Sequence, residues 1–373
     1  MSRKTIDQNI TGTKNQRILE EALPPLLSWY EKERRLLPWR EEPTAYHVWV
    51  SEIMLQQTRV EAVKAYYQRF MECLPTVEAL GNCPDDDLHK LWEGLGYYSR
   101  VRNLKKAAIT ILTEYDGKIP SEEKMLLSLT GIGSYTAAAI ASIAFGKNAA
   151  AVDGNVLRVI TRLLAREEDI GGSQFKNQIK ELLENAYSVV AKNMQLGAVS
   201  GSLNQAFMDL GSSVCLPNTK PKCTVCPMAT FCKAHKSGKE LCYPVKAEKK
   251  PRVIEKRTVL LIYLGERILL HKRPGKGLLA GLYEFPNLEG HLSPKKVLAY
   301  VESLGMTSLH IEKLSAAKHI FTHKEWHMIG YSIKADEIRG EQDLTKEELF
   351  QFVTPEELKD GYAVPSAFSA YRP

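Results

Sequence analysis

The hydrophobic positions of this chain follow a helical spacing from about Asn15 to Cys232. Between Ser51 and Phe70, apolar residues recur three and four positions apart, which predicts a helix that begins near Ser51. The stretch Ala137–Phe145 is almost entirely apolar, as expected for a helix that is buried on every side. This part of the chain is therefore predicted to form an all-α domain.

The pattern changes after a polar, basic and proline-containing stretch at residues 234–257, which predicts a linker. Arg257–Leu264 and Ile268–His271 have the composition of β-strands and flank Gly265-Glu266, which predicts a β-hairpin. A helix is predicted to end before Gly305, and further strands are predicted around Phe321. The second domain is therefore expected to be α+β. The predicted division is a flexible N-terminus (1–16), a helical domain (17–233), a basic linker (234–257) and an α+β domain (258–373).

Bulk composition restricts the class of protein. A chain of 373 residues is too long for one ordinary core, which favours two domains. Apolar residues make up 44% of the chain and charged residues 25%, values typical of globular proteins, and no apolar run is long enough to predict a membrane span. Met1–Gln16 lacks the apolar stretch of a secretory signal, so we expect a cytoplasmic location. The net charge of +6 and the basic clusters at 100–106 and 246–257 are compatible with a polyanionic partner, and equally with solvated surfaces and a charged linker.

Two short motifs indicate chemistry. Leu129–Thr136 is predicted to form a helix, a glycine hairpin and a second helix, in which Gly131 and Gly133 allow positive φ and Ser134 is the N-cap. Such a hairpin directs backbone N–H groups at a phosphate. In Val152–Val156, Asp153 follows an alanine-rich helix. Taken singly, the first motif is equally compatible with a tight connector and the second with an ordinary Asp-Gly turn.

Four of the seven cysteines lie close together in the sequence. Clustered thiols in a chain expected to be cytoplasmic indicate metal ligation rather than disulfide bonds. Both zinc and an iron–sulfur cluster accept four cysteines, and the spacing alone does not distinguish them. The predicted metal ligands are Cys215, Cys223, Cys226 and Cys232.

The hairpin followed by an aspartate resembles the helix-hairpin-helix DNA glycosylase superfamily. Three further segments resemble the MutY family of adenine DNA glycosylases within it: Leu36–Arg40, Val48–Thr58 and Trp92–Arg100. Gly277–Pro286 is similar to the MutT/Nudix-like domain of that family, although the acidic Nudix box is missing from the sequence. The resemblance implies a multidomain fold, with an all-α helix-hairpin-helix glycosylase domain and a 4Fe-4S cluster loop (215–232), followed by an α+β Nudix-like domain.

The resemblance also implies roles for individual residues. Glu52 would protonate adenine mispaired with 8-oxoguanine or guanine, and burial would have to raise its pKa towards neutrality. Asp153 would stabilise the sugar cation or form a transient covalent bond, with Tyr135 and Asn155 orienting it. The implied adenine pocket contains Trp39, Arg40 and Gln205. Residues implied to contact or wedge into duplex DNA are Gln57, Thr58, Leu95, Gly96, Tyr97, Gly131 and Gly133, and those implied to read 8-oxoguanine are Phe321, Thr322 and His323, where the family usually has Phe-Ser-His.

The same resemblance favours a 4Fe-4S cluster as the cofactor, although seven residues separate Cys215 from Cys223 where the family usually has six. Tyr135 lies where relatives similar to endonuclease III carry a lysine, which predicts a glycosylase without strong lyase activity. The alternatives are an endonuclease III-like bifunctional pyrimidine glycosylase/lyase and a non-catalytic lesion-binding protein. The expected partner is duplex DNA containing the mispair, bound by a monomer in the bacterial cytoplasm at the nucleoid.

Overall fold

The computed structural model describes residues 3–247, 251–338 and 349–373. The chain divides into two compact units, Met1–Gly81 with Asn103–Glu248, and Asn82–Arg102 with Lys249–Pro373. This division differs from the predicted one, because the segment 82–102 belongs to the C-terminal unit. Long-range polar contacts join this segment to the second unit, among them the ion pair between Lys272 and Asp86 at 3.0 Å. Such contacts leave no periodic pattern in the sequence.

Helices account for most of the described structure up to residue 236. One hydrophobic core cluster of the first unit is formed by α1 (Arg3–Glu33), α10 (Gly154–Leu164), α11 (Ser173–Asn193) and α12 (Ser200–Ser213), and includes Leu23, Ile160, Leu183 and Phe207. Within the described ranges, no helix combines the length and apolarity needed to cross a lipid bilayer. The helices are α1 (Arg3–Glu33), α2 (Pro38–Glu41), α3 (Ala45–Leu55), α4 (Val60–Cys73), α5 (Val77–Asn82), α6 (Asp85–Leu91), α7 (Ser99–Glu114), α8 (Glu123–Leu126), α9 (Ser134–Ile143), α10 (Gly154–Leu164), α11 (Ser173–Asn193), α12 (Ser200–Ser213) and α13 (Lys233–Lys236).

The predicted helix from Ser51 to Phe70 is in fact two helices. The chain leaves α3 after Leu55, passes through Gln57 with φ of +57°, and starts α4 at Val60. Both helices bury apolar residues in the same unit, so the helical spacing of apolar residues continues across the break. For this reason the spacing does not reveal the break. Glu52 consequently lies in the last turn of α3, and its predicted place in a first helical turn is wrong.

The hairpin between α8 and α9 has the predicted order of elements, with two local differences. Gly131 adopts φ of +81°, and a Cβ added there would lie 2.6 Å from the Cβ of Asn103, so glycine is required twice over. Gly133 has φ of −89° and is itself the N-cap of α9. Gly133 therefore does not use the positive φ that glycine allows, and the predicted N-cap at Ser134 is wrong, because the helix begins one residue earlier than that N-cap requires.

The C-terminal unit contains one mixed β-sheet with the path β3-β2-β1-β6-β5, in which β4 also pairs with β1 and β7 with β2. The predicted hairpin at Gly265-Glu266 is confirmed, since Leu264 pairs with Arg267 and Gly265 has φ of +60°. Strands β1 and β6 are parallel, whereas β5 and β6 are antiparallel. The elements are β1 (Val253–Leu264), β2 (Arg267–Lys272), β3 (Tyr283–Glu284), β4 (Asn287–Glu289), α14 (Pro294–Ser303), β5 (Met306–Ile320), β6 (Lys324–Ile338), β7 (Phe350–Val353) and α15 (Pro355–Gly361).

The two segments predicted to lack regular structure contain helices and the start of a strand. Residues 3–16, expected to be a flexible N-terminus, belong to α1. In the predicted linker 234–257, α13 extends to Lys236, a 3-10 helix covers Glu240–Cys242, and β1 begins at Val253. Local composition therefore underestimated how much of these polar segments adopts regular secondary structure.

Candidate active site

Glu52 is a buried carboxyl group, with 5% of the residue exposed, in the last turn of α3. Desolvation raises the pKa of Glu52 to about 7, and the charge of Asp153 contributes to the rise. A hydrogen bond from Tyr135 and the charge of Arg40 oppose it. The C-terminal end of a helix also disfavours an anion, so the position in α3 acts in the same direction as burial. Near neutral pH, Glu52 can therefore hold a proton and release it.

Tyr135 lies in the first turn of α9, directly after the hairpin. Its hydroxyl donates a hydrogen bond to Oε2 of Glu52 at 2.7 Å and also contacts the sulfur of Met208 at 3.7 Å. Burial raises the pKa of Tyr135 well above its ordinary value, so the hydroxyl keeps its proton. The expected contact with Asp153 is not the one that forms, because the hairpin directs the phenol towards α3.

Asp153 is the N-cap of α10. Its Oδ1 accepts hydrogen bonds from the backbone N–H groups of Asn155 and Val156, both at 2.8 Å, and Oδ2 accepts one from Nδ2 of Asn155 at 2.7 Å. Burial raises the pKa of Asp153, while these three hydrogen bonds oppose the rise by favouring the carboxylate. The expected contact from Asn155 is present, and the helix N-terminus adds a favourable dipole for an anion.

The two carboxyl groups therefore lie in contrasting environments within one site. The charge of Asp153 raises the pKa of Glu52, and both carboxyl groups raise the pKa of Tyr135. Glu52 accepts one hydrogen bond at the end of a helix, whereas Asp153 accepts three at the start of another. Different surroundings give the two carboxyl groups different proton affinities. One group can then act as a proton donor while the other remains an anion.

Arg40 lies beside these groups and is fixed by a carboxylate that the sequence did not single out. Asp209, on α12 and only 1% exposed, accepts hydrogen bonds from Nη1 and Nη2 of Arg40 at 2.8 and 3.1 Å, and from Nε of Arg35 at 2.8 Å. The two guanidinium groups lower the pKa of Asp209 against the effect of burial, so this carboxylate is ionised. Asp209 follows Gln205 by four residues, so the helical face of Gln205 was the signal that could have identified it.

Trp39 and Gln205 occupy well-defined positions in the same unit. Trp39 is buried in α2, and its ring packs edge-on against Tyr67 with the centroids 5.4 Å apart. Gln205 is half-buried on α12, where Nε2 donates to the carbonyl of Gly201 at 3.3 Å. A weak bond of this kind leaves most of the amide free to rotate towards a ligand.

A buried arginine joins Asn155 to the cysteine-rich segment. Nη2 of Arg158 donates to Oδ1 of Asn155 at 2.9 Å and to the carbonyl of Gly211 at 2.7 Å, and its Nε donates to the carbonyl of Cys215 at 2.9 Å. Sequence reasoning missed Arg158 because two of its three partners, Gly211 and Cys215, lie more than 50 residues away. Its position three residues after Asn155 on an otherwise buried helix was the available signal.

The four predicted metal ligands line one cavity. All seven cysteines of the chain lie within the described ranges and are free thiols. Burial raises the pKa of Cys226 to about 12 and that of Cys223 to about 11, so thiolates there require compensating positive charge. Nη1 of Arg162 donates to Sγ of Cys215 at 3.3 Å, and Cys223, His235 and Glu240 also form a group close enough to hold a metal ion. The residues therefore fit a cysteine-rich metal centre.

The additional residue between Cys215 and Cys223 is accommodated in an exposed loop. Both ends of this loop are anchored, because Lys222 N–H donates to Val214 O at 2.9 Å and Nη1 of Arg162 donates to Leu216 O at 2.9 Å. Between these anchors, Asn218 adopts φ of +57°, which asparagine tolerates well. The base of this longer loop is therefore held by hydrogen bonds on both sides.

The residues expected to contact duplex DNA are distributed over both units. Gln57 and Thr58 form the turn between α3 and α4 in the first unit. Gly96 and Tyr97 lie in the second unit with φ of +68° and +48°, and Tyr97 is 47% exposed. Leu95, which the resemblance implies to wedge into the duplex, is buried in this structure, with 6% of the residue exposed.

Phe321, Thr322 and His323 form the turn between β5 and β6 and line a cleft of about 400 Å³ within the second unit. Phe321 packs against Trp326, with ring centroids 4.9 Å apart, which fixes the start of the turn. The hydroxyl groups of Thr322 and Tyr97 lie 3.4 Å apart, so the two segments meet at this cleft. The cleft therefore brings together residues that are more than 200 positions apart in sequence.

Comparison with known proteins agrees with this architecture. Residues 50–185 match the HhH-GPD superfamily of base excision DNA repair proteins, and residues 258–371 match the NUDIX domain. Two solved structures with a TM-score of 0.51 each cover 60% of this chain and 98% of their own: a thermostable thymine-DNA glycosylase with 29% identity, and a trapped endonuclease III–DNA covalent intermediate with 21%. The latter likeness concerns the fold alone.

Curated relatives identify the family more closely. The adenine DNA glycosylase of Rattus norvegicus is 35% identical over 356 residues, covering 80% of this chain and 67% of the rat protein. The adenine DNA glycosylase of Buchnera aphidicola subsp. Schizaphis graminum is 32% identical over 309 residues, covering 82% of this chain and 85% of that protein. With its paired carboxyl groups, hairpin and Nudix-like domain, this chain belongs to the adenine DNA glycosylase family.

Proposed function

We propose that this protein removes adenine that is mispaired with 8-oxoguanine or guanine in duplex DNA, leaving an abasic site. The observation that carries the proposal is the pairing of Glu52, whose pKa lies at about 7, with Asp153, whose carboxylate accepts three hydrogen bonds. Hydrolysis of an N-glycosidic bond needs a proton on the leaving base and an anion beside the sugar cation.

In this mechanism Glu52 donates its proton to N7 of adenine. The electron pair of the glycosidic bond leaves with the base, and the sugar becomes an oxocarbenium ion. Asp153 stabilises this cation, as an ion partner or through a transient covalent bond, until water adds to the sugar. General acid catalysis of this kind contributes roughly 10²–10⁴-fold, so Asp153 and the positioning of the substrate must supply the remainder.

Positioning of adenine is assigned to Trp39, Arg40 and Gln205. The nucleotide must leave the duplex, at a cost of a few kcal/mol that is smaller at a mispair. Trp39 offers an aromatic face, whereas the guanidinium of Arg40 is held by Asp209 and the amide of Gln205 is weakly bound. These polar groups are suited to the acceptor and donor positions on the edge of a purine.

We propose that the enzyme cleaves the glycosidic bond without strong lyase activity. Strand cleavage through a Schiff base requires a primary amine, and the hairpin position carries Tyr135, whose hydroxyl is bonded to Glu52. This observation argues against the endonuclease III-like alternative. The presence of both Glu52 and Asp153 argues against a non-catalytic lesion-binding protein.

Contacts with the duplex are assigned to both units. The backbone around Gly131 and Gly133 and the N-terminus of α9 would bind a phosphate. Gln57, Thr58, Gly96 and Tyr97 would contact the duplex around the extruded base. The turn Phe321–His323 would read 8-oxoguanine from the cleft that it shares with Tyr97.

We assign a 4Fe-4S cluster to Cys215, Cys223, Cys226 and Cys232. When bound, the cluster would link the four cysteine thiolates and so hold the loop 216–222 and the residues after it in place. Lys220 and Lys222 in this segment would then contact the DNA backbone. Visible absorption and iron analysis of the purified protein would distinguish this cluster from zinc. We further propose a monomer acting in the cytoplasm, where reducing conditions preserve free thiols.

One assay separates the three functions. Duplexes with adenine opposite 8-oxoguanine or guanine are incubated with the protein and then analysed with and without alkali. Cleavage only after alkali supports a monofunctional adenine glycosylase, cleavage without alkali supports a lyase, and binding without cleavage supports a lesion-binding protein. Asp153→Asn is the matched control, since it keeps the side-chain volume and should abolish turnover while duplex affinity is retained.

A further inference from the structure

We infer that Asn204 is a positioning residue that fixes the chain segment leading into Asp153. The inference rests on the proposed function, since it assigns a role in the same reaction. Asn204 lies on α12, next to Gln205, and its side chain points into the core of the first unit, where the residue is 0% exposed.

The amide of Asn204 has a full set of hydrogen bonds. Its Oδ1 accepts from the backbone N–H of Ala151 at 3.0 Å and from the hydroxyl of Tyr187 at 3.1 Å. Its Nδ2 donates to Oγ of Ser142 and to the backbone carbonyl of Ala149, both at 2.8 Å. A primary amide offers two donors and an acceptor oxygen with two lone pairs, and all of these are used here.

Two of the four bonds go to a segment without regular secondary structure. Ala149–Ala151 connects α9 to Asp153, and all three alanines are buried, with no helix or strand to pair their backbone groups. Unpaired N–H and C=O groups are unfavourable in such a place. Asn204 takes the place of a neighbouring β-strand, because it accepts a hydrogen bond from the N–H of Ala151 and donates one to the carbonyl of Ala149. Asp153 follows this segment after one residue, so its position depends on how the segment is held.

The same segment is also held by α11. Oε1 of Glu184 accepts from the backbone N–H of Ala150 at 3.1 Å, and Nδ2 of Asn148 donates to Oγ of Ser188 at 2.7 Å. Asn204 completes this arrangement on the side of α9, where it contacts Ser142. Helix α9 also carries Tyr135, which donates a hydrogen bond to Glu52. Asn204 therefore connects the segment that precedes Asp153 to the helix that contacts Glu52.

Packing alone already holds α12 against α9. A Cβ added at Gly201 would lie 2.7 Å from the carbonyl oxygen of Ser142, which shows how closely the two helices approach. The helix crossing therefore does not require the amide of Asn204. The contribution specific to this side chain is the pair of bonds to Ala149 and Ala151.

The test compares Asn204→Ala with Tyr187→Phe. The Phe variant removes one hydrogen bond from the same buried amide and leaves both bonds to the alanine segment intact. Base excision is measured with enzyme in excess over an adenine:8-oxoguanine duplex, at a temperature where circular dichroism shows each variant folded. We expect Asn204→Ala to excise adenine at least thirtyfold more slowly than wild type, with duplex affinity within threefold, and Tyr187→Phe to stay within threefold in both.

Asn204→Asp provides a second readout if the Ala variant does not fold. Its carboxylate keeps the acceptor for Ala151 but cannot donate to Ala149 until it is protonated. Its rate relative to wild type at the same pH should therefore rise as the pH falls. Equal rates for Asn204→Ala and Tyr187→Phe, or a pH-independent rate ratio for Asn204→Asp, would overturn the inference. A wild-type enzyme that excises no adenine would instead overturn the proposed function, and the inference with it.

Discussion

The hydroxyl of Tyr135 donates to Oε2 of Glu52 at 2.7 Å and so links the hairpin helix to the proposed acid. This bond favours the carboxylate form of Glu52, while burial and the charge of Asp153 favour the protonated form. The balance places the pKa of Glu52 at about 7. Tyr135 is thus expected to set the pH range of the reaction.

Tyr135→Phe should move the alkaline limb of the pH–rate profile to higher pH. Loss of the hydrogen bond removes a stabilisation of the carboxylate, and a bond of this type is worth about 1.5–3 kcal/mol, or roughly one to two pH units. Single-turnover rates of base excision between pH 5 and 10 would measure the shift. A limb that stays in place would show that the hydroxyl does not control the ionisation of Glu52.

Glu52→Gln should make the protein more stable at alkaline pH, although it should excise adenine at least a hundredfold more slowly. The pKa of Glu52 rises from 4.5 to about 7 on folding, so the stability gained from its proton is complete below about pH 4.5 and is lost as the pH rises through 7. Glutamine has no such loss. The variant should gain at most about 3 kcal/mol at pH 9 and nothing near pH 4.

Chemical denaturation at these two pH values would test this prediction. Asp209→Asn is the contrasting variant, because the pKa of Asp209 is lowered on folding and its removal leaves two arginines without their anion. It should destabilise the protein at pH 9. A Glu52→Gln variant that is less stable than wild type at pH 9 would contradict the claim that the buried, ionised Glu52 destabilises the folded protein at this pH.

Arg158→Lys should slow base excision at least tenfold and accelerate the loss of iron from the proposed cluster to a chelator. A single ammonium group cannot maintain the bonds to Asn155, Gly211 and Cys215 that the guanidinium makes simultaneously. The control is Arg166→Lys, a change near the surface at an ion pair with Glu168. Iron release and excision rates that match in the two variants would exclude a structural link between the metal centre and Asp153.

Much of the fold was predictable from local patterns. The Gly265-Glu266 hairpin, the buried helix α9 and the clustered cysteines each depend on residues that are neighbours in the sequence. The break between α3 and α4 was not predictable from periodicity, because the helices on either side of Gln57 both bury an apolar face in the same unit.

The supporting contacts of the site were also beyond sequence reasoning. Asp209 pairs with Arg35 and Arg40 across more than 160 positions, and Arg158 reaches Gly211 across 53. Such pairs form only after helices pack, and a charged residue on a helix usually indicates an exposed face. The direction of the Tyr135 hydroxyl towards Glu52 rather than Asp153 likewise depends on the tertiary geometry of the hairpin.

Thr322→Val should reduce the preference for adenine opposite 8-oxoguanine over adenine opposite guanine, by up to roughly tenfold, which is the value of one neutral hydrogen bond. Valine keeps the shape of threonine but removes the hydroxyl that lies at the cleft, 3.4 Å from that of Tyr97. Excision rates on the two duplexes at limiting enzyme give the ratio. Thr322→Ser keeps the hydroxyl and should retain the preference, whereas a preference that Thr322→Val retains and Thr322→Ser loses would assign the role to the methyl group.

The pH dependence of base excision by the wild-type enzyme tests the central claim most directly. With adenine:8-oxoguanine duplex already bound, the single-turnover rate is measured from pH 5 to 10 for wild type and Glu52→Gln. A neutral Glu52 as proton donor predicts a rate that falls tenfold per pH unit above about pH 7, and a variant without this limb that is at least a hundredfold slower at pH 6. A wild-type rate that stays constant to pH 10, or a variant as fast as wild type, would contradict it.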